Sequence, residues 1–306
     1  MRIAHVSDLH VLSRTGARWR QIVFNKRLTG YANLILHRGR VHRRDYLVRV
    51  LASASASADQ LVVTGDITNL ALEHEYQEAT ALLDEAARRI EVTVIPGNHD
   101  IYLPALVHER RFTHHFHRFF ESDLPDLAAD VPAGRFPCVK LRQNLAIIGL
   151  SSAVPRSPFV SAGRLGAAQL AALDRILARP EVRERTPVVL VHHPPVDRRP
   201  RILQLRDGLV DAPGLRRRLA VLSRGAVLFG HLHHRVRHRF ATSTGSLDVI
   251  SASGAALDHP DPSVRAGFNL YRFDQDGALA SVEAHVLDPG GGKFQISEIS
   301  PSGDPA

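Results

Sequence analysis

Five short runs of oxygen- and nitrogen-bearing side chains recur along this chain of 306 residues, each where an apolar run gives way to a polar loop: Asp8-Leu9-His10, Gly65-Asp66, Gly97-Asn98-His99-Asp100, His192-His193-Pro194 and Gly230-His231-Leu232-His233. Carboxylate oxygens and imidazole nitrogens ligate divalent metals, and a donor set without sulfur suits manganese, iron or zinc. Two such ions about 3.5 to 4 Å apart can activate a water molecule and clamp a phosphoryl group for in-line displacement. That chemistry needs one carboxylate shared between the ions and several imidazoles around it. An Asp-x-His pair alone carries little, since its ordinary reading is a polar turn after a strand. Gly-Asn-His-Asp after Val92-Thr93-Val94-Ile95-Pro96 carries more, because glycine permits a tight turn from which Asn98 and His99 point out of one strand end. The order of all five, each behind its own apolar run, carries most.

For the runs to meet, the chain must place strands behind them. Residues 3–7, 61–64, 92–95, 188–191 and 226–229 read as those strands, and 139–141 with 146–150 as a hairpin pair. Residues 47–58, with their Ala-Ser alternation, 73–89, 167–177 and 215–222 read as helices between them. Alternation of strand and helix is the α/β signature. His5 alternates with apolar neighbours and is expected to be a satisfied core histidine. Residues 101–137 carry His114, His115 and His117, read as one face of a helix at the cleft rim, because no acid or cysteine is spaced to complete a further metal site. The tail, 289–306, is rich in Gly, Ser and Pro and is expected to be loosely ordered.

In order and wording the five runs resemble the calcineurin-like metallophosphoesterase superfamily, whose motifs run D-x-H, G-D-x-x-N/D, G-N-H-D/E, a single H and G-H-x-H; the match spans roughly positions 1–275. Ile147-Ile148-Gly149-Leu150-Ser151-Ser152, Gly163-Arg164-Leu165-Gly166 with Gln169-Leu170, and His192-His193-Pro194-Pro195 are similar to its cyclic-nucleotide-phosphodiesterase-like branch. The resemblance implies a four-layer α-β-β-α sandwich of two mixed sheets with metals at the strand ends, within a domain expected to cover 1–288. It implies Asp66 as the bridge, Asp8, His10 and His233 on one metal, and Asn98, His192 and His231 on the other. The attacking group is then a hydroxide between the metals, with His99 as general acid or cationic stabiliser and Asp100 as a group that orients its loop. The family frame selects His192 over His193, which becomes a rim residue that, like Asn98, contacts substrate; it leaves His234 a bystander. Asn69 completes G-D-x-x-N and is expected to bond within its own loop.

Composition bounds the rest. With 44% hydrophobic and 23% charged residues the chain is an ordinary globular composition, and it has no apolar stretch long enough to span a bilayer. Asp8 falls where a signal peptide would need its apolar middle, and the lone Cys138 has no disulfide partner, so a cytoplasmic location is expected, with peripheral contact at a membrane's inner face open. The net charge of +8 is uneven: residues 14–49 hold ten Lys or Arg against one acid, Asp45, interleaved with Trp19, Phe24, Tyr31 and aliphatic residues. This basic amphipathic insertion, 13–49, has competing readings: a packed surface hairpin, a lid that steers polyanions to the metals, or a contact with an anionic membrane. Nucleic acid ranks lower, since the segment lacks repeated aromatic platforms for bases. The leading expectation is a phosphodiesterase acting on a cyclic nucleotide-like substrate; a membrane-surface pyrophosphatase for a UDP-diacylglucosamine-like lipid is the second. A non-catalytic scaffold is the third, disfavoured because no ligand is missing from the pattern.

Overall fold

Hydrophobic alternation dictates the layers. In the strand β7 (Leu145–Gly149), Leu145 and Ile147 enter one apolar cluster while Ala146 and Ile148 enter another. The neighbours β8 (Thr186–Leu190) and β9 (Ala226–Phe229) divide the same way, Val188 and Leu228 to one side, Val189 and Phe229 to the other. Successive side chains of a strand point to opposite faces, so a strand that is apolar throughout must be covered on both. The computed structural model of the chain describes residues 1–11, 42–101, 103–157 and 160–302. Of the basic insertion, residues 13–41 lie outside that set.

Two six-stranded mixed sheets supply the two inner layers. The first runs β14-β13-β12-β1-β2-β3, from β1 (Arg2–Val6), β2 (Gln60–Val63), β3 (Glu91–Val94), β12 (Gly267–Phe273), β13 (Leu279–Leu287) and β14 (Phe294–Glu298). The second runs β10-β11-β9-β8-β7-β6, adding β6 (Cys138–Arg142), β10 (Val236–Ala241) and β11 (Ser246–Ser251). A small hairpin, β4 (Ala129–Val131) with β5 (Gly134–Phe136), stands apart. β1, β2 and β3 are parallel, as are β7, β8 and β9, so each returns through a crossover.

The crossover α1 (Arg44–Ser57) presents Tyr46, Leu47, Val50, Leu51 and Ala54 to the core, an i, i+3, i+4 stripe. Its Ala-Ser alternation does not break it, because Ser55 and Ser57 bond back to the carbonyls of Leu51 and Ser53. At the start of α2 (Glu73–Ala87), the Glu75 carboxylate accepts from the amide of the N-cap residue Leu72, as in a capping box, and from that of Leu70 in the loop before it. Outer helices α5 (Ala167–Ala178) and α8 (Ala212–Leu219) cover the second sheet, and short helices α3 (Pro104–His108) and α4 (Arg111–Phe116) lead into the small hairpin.

The tail departs from expectation. Phe294–Glu298 pairs antiparallel with Glu283–Leu287 as an edge strand. The glycines that read as looseness form the turn feeding it, with the Asp288 side chain accepting from Gly292 and its carbonyl from Gly291. Among the described residues no helix is long and apolar enough to cross a membrane.

Candidate metal centre

Every one of the five runs lies just past the carboxyl end of its strand, β1, β2, β3, β8 or β9, at one edge of the two sheets. Main-chain bonds zip the first two loops together beyond the sheet: Asp8 N to Gly65 O at 3.0 Å, His10 N to Asp66 O at 2.9 Å and Val11 N to Ile67 O at 2.9 Å. Two glycines let the loops close in. A Cβ on Gly97 would collide with the Asp66 carboxylate, and one on Gly230 with the Ser7 side chain.

The backbone is strained here. Among the described residues eight non-glycines have positive φ, and five of them are Asp8, His10, Asp66, His231 and His233. Left-handed backbone costs an L-residue on the order of 1 to 3 kcal/mol, and it persists where surrounding structure over-determines it.

Two clusters of donors result. In one, His10 Nε2 lies 3.2 Å from His233 Nε2, which is 3.1 Å from Asp8 Oδ1, while Asp66 Oδ2 stands 3.9 Å from His10 Nε2. In the other, His192 Nε2 lies 3.1 Å from Asn98 Oδ1, 3.2 Å from His231 Nδ1 and 3.4 Å from Asp66 Oδ1. Thus one carboxylate turns an oxygen to each cluster. His192 Nδ1 is 2.7 Å from the Thr64 carbonyl, an acceptor, so Nδ1 carries the proton and a neutral ring presents a lone pair at Nε2. That lone pair faces carboxylate and amide oxygens, which also offer only lone pairs. Electron pairs aimed at one another require a cation between them, a proton or a metal, and sulfur-free donors of this kind suit a divalent metal.

Electrostatics agree. Burial alone would lower His192, but the Asp66 and Asp8 carboxylates push it up to about 9. Burial would raise Asp66, yet the imidazoles of His192 and His99 hold it well below the usual carboxylate range. Burial likewise opposes, and His233 enforces, the lowering of Asp8. Groups of Asp8, His10 and His233, of Asp8, Asp66 and His192, and of His10, Asp66 and His99 are placed to bind metal.

His99 sits against both clusters, its ring edge-on to His10 with centroids 4.9 Å apart. Its backbone amide donates to Asp66 Oδ1 at 2.8 Å, and its Nδ1 lies 2.6 Å from the carbonyl of Asn69. Asn69 therefore serves the site through its main chain. Asp100 is fully buried, and its carboxylate accepts from the amides of Gly97, Ile67 and Thr68, tying the second and third loops together. Burial, with Asp66 nearby, pushes Asp100 up to about 7.

His193 is not at the rim. It is fully buried, with Nδ1 2.8 Å from Ser152 Oγ and Nε2 2.7 Å from the Ser161 carbonyl. The stretches 161–163 and 206–208 pair over it, Ser161 N to Arg206 O and Gly163 N to Gly208 O at 2.9 Å each. With both nitrogens committed and burial pushing it down to about 3, it is a neutral support with no atom left for substrate. His5 behaves as the alternation implies, bonded to Tyr271 and Thr64 hydroxyls. His115 stacks on Tyr76 and meets Glu73, away from any donor cluster among the described residues, and His234 is exposed.

One residue escaped the sequence reading. His42 is buried beside the first cluster, its ring 5.0 Å from that of His10 and 6.4 Å from that of His233. An isolated histidine in an arginine-rich run gives no spacing signal.

Two sheets carrying paired metal-binding clusters at their strand ends define a dimetal phosphoesterase architecture. The chain belongs to the calcineurin-like phosphoesterase family, whose sequence model matches residues 1–235. It is 27% identical over 298 residues, 94% of this chain and 80% of the other, to a protein of Rhodococcus erythropolis named "Probable cyclic nucleotide phosphodiesterase". Its fold is similar to that of a dimetal phosphatase from Danio rerio, with TM-score 0.58 and 14% identity over 98% of this chain and 99% of that one. It is also similar to the sulfate thiohydrolase SoxB of Thermus thermophilus, with TM-score 0.54 and 14% identity over 96% of this chain, which spans 58% of that larger protein.

Proposed function

We propose that this protein is a dinuclear-metal-dependent phosphodiesterase acting on a nucleotide-type, cyclic nucleotide-like substrate. One observation carries the reading: the two oxygens of Asp66 face two separate donor clusters. Asp8, His10 and His233 hold one cation, Asn98, His192 and His231 the other, and Asp66 belongs to both. Manganese, iron or zinc fits this set. Bound there, the cations supply Lewis acidity toward phosphoryl oxygens and bring the pKa of water toward neutrality.

The chain's own residues do the rest. Asn98 turns its amide oxygen to His192, which leaves its NH₂ to donate to a phosphoryl oxygen. His99 protonates the leaving oxygen. Its Nδ1–H is committed to Asn69 O, so Nε2 delivers the proton, and the ring must start as imidazolium. Asp100 is a positioning residue that fixes the loops bearing Asp66 and His99. The relative from Rhodococcus supports the nucleotide class by its name, and a cytoplasmic location fits such a substrate.

A second reading, a membrane-surface pyrophosphatase for a UDP-diacylglucosamine-like lipid, is favoured by the loop that follows His193. The short helix α7 (Arg201–Asp207) exposes Ile202 at 72% and Leu205 at 75%, with Val210 at 57% beyond it and Arg201 alongside. Exposed apolar residues flanked by cations suit a lipid interface. Manganese-loaded protein is to be given cyclic AMP and, separately, UDP-diacylglucosamine in detergent micelles, with His99→Ala as control. Turnover of cyclic AMP, lost in the variant, is expected; preference for the lipid replaces the first reading with the second, and no turnover of either sinks both.

A further inference from the structure

At the opposite end of the second sheet, where β8 and β9 begin, a cavity of about 1060 Å³ opens between α5, the short helix α6 (Pro180–Arg183) and α8. Pro187 lines it, five residues before His192, so at about 3.3 Å per residue it lies roughly 16 Å from the metal centre. Its charge is one-sided. Five arginines line it against one carboxylate, Asp174, which is already bonded to Arg218 at 2.8 Å. Arg185 is likewise spoken for, by the carbonyls of Gln143 and Glu181. Arg183, Arg217 and Arg224 remain, and among the described residues no ion pair engages them.

These three come from α6, α8 and the loop before β9, so tertiary structure, not a run of sequence, brings them together. All three are exposed, and like charges gathered around one recess repel one another and favour an anion among them. Leu177, Val221 and Leu222 add an apolar surface beside them, Val221 being 66% exposed. Guanidinium groups bind phosphate bidentately, and an apolar wall rewards a ligand with an organic part. The volume is that of a small-molecule site.

We propose that this cavity binds an organic polyphosphate of the nucleoside di- or triphosphate class, at a site separate from the metal centre. The assignment rests on the cavity alone and stands or falls independently of the phosphodiesterase reading. The test is calorimetric titration of metal-loaded protein with ATP, and with inorganic tripolyphosphate, for the native chain and for Arg183→Glu/Arg224→Glu. Expected are saturable ATP binding, tripolyphosphate binding that is weaker, and at least a tenfold loss of ATP affinity in the variant. Turnover of bis(p-nitrophenyl) phosphate should be the same in both proteins. Arg183→Gln/Arg224→Gln, checked by thermal melting, guards against a charge-reversed chain that fails to fold, and should lose affinity too. Equal ATP affinity in native and variant proteins would place the nucleotide on the metals and overturn the proposal. So would an absence of binding by native protein, tripolyphosphate binding as tightly as ATP, or a short single-stranded RNA competing more tightly than ATP.

Discussion

Beyond the carboxyl end of β8, His192 sits among carboxylates that push it up to about 9, whereas around the amino end of the same strand, at Pro187, the titratable neighbours are mostly guanidiniums. The first environment favours added positive charge and the second added negative charge. They also differ in backbone. The carboxyl-end loops concentrate left-handed residues, while the bodies of β7, β8 and β9 send apolar side chains to both faces. Strain and buried charge at the metal end persist because the intervening core holds the strands in fixed register, so site and scaffold should fail separately when mutated.

The sharpest way to break that separation is Asp66→Asn. It removes one of the two carboxylate charges of the set, the one both clusters share, but hardly changes volume, so the fold should survive while metal stoichiometry falls. Loss of several kcal/mol of transition-state stabilisation, at about 1.4 kcal/mol per tenfold, amounts to roughly a thousandfold or more in kcat/KM. A variant that keeps two metals and near-native turnover would contradict the bridging role. His99→Ala should be milder, about a hundredfold in kcat, with metal content unchanged. In the proposed general-acid role the proton goes to the leaving oxygen, so the deficit should shrink with a p-nitrophenolate leaving group; an equal deficit with every substrate would point to a purely electrostatic role.

The converse experiment acts on the scaffold. Leu228 is fully buried in the middle of β9, facing the core between the sheets. Leu228→Ala should cost about 3 kcal/mol in chemical denaturation, with metal content and kcat close to native at temperatures where it stays folded. Loss of metal without loss of stability would mean that strand bodies and loops are not separable.

Sequence legibility follows the same division. The apolar runs of 61–64, 188–191 and 226–229 marked strands within a residue or two, because burial on both faces leaves a continuous hydrophobic signature. The candidate ligands were readable because each must follow such a run. His193 was misread because adjacency to His192 says nothing about which ring the turn faces inward. Burial of its second nitrogen by Ser161 depends on a loop 32 residues away in sequence. His42 and the edge strand Phe294–Glu298 were missed for related reasons: the first meets the cluster only through tertiary proximity to His10, and the second hid its two-residue alternation behind a glycine turn.

The smallest expected effect lies at the amino end of β3. There Glu91 accepts two bonds from Arg142, at 2.7 and 2.8 Å, and one ion pair from Lys140 at 3.1 Å, so that β3 at the edge of the first sheet is fastened to β6 at the edge of the second. The Arg142 guanidinium, with Lys140, outweighs partial burial and holds Glu91 below its ordinary 4.5. In acid the unfolded chain therefore binds a proton on this residue before the folded chain does, and stability rises with pH across that interval. The contribution is fully present above about pH 4.5 and is lost as pH falls through the depressed folded value. Glu91→Gln should flatten that part of the stability curve and lower stability slightly at neutral pH, leaving catalysis untouched. Because Glu91 is partly open to solvent, salt should shrink the difference between the two proteins. A curve for Glu91→Gln that keeps the native slope between pH 3 and 5 would show that the fastening of the two sheets does not depend on this carboxylate's charge, and would move the acid sensitivity to the buried carboxylates at the metal end.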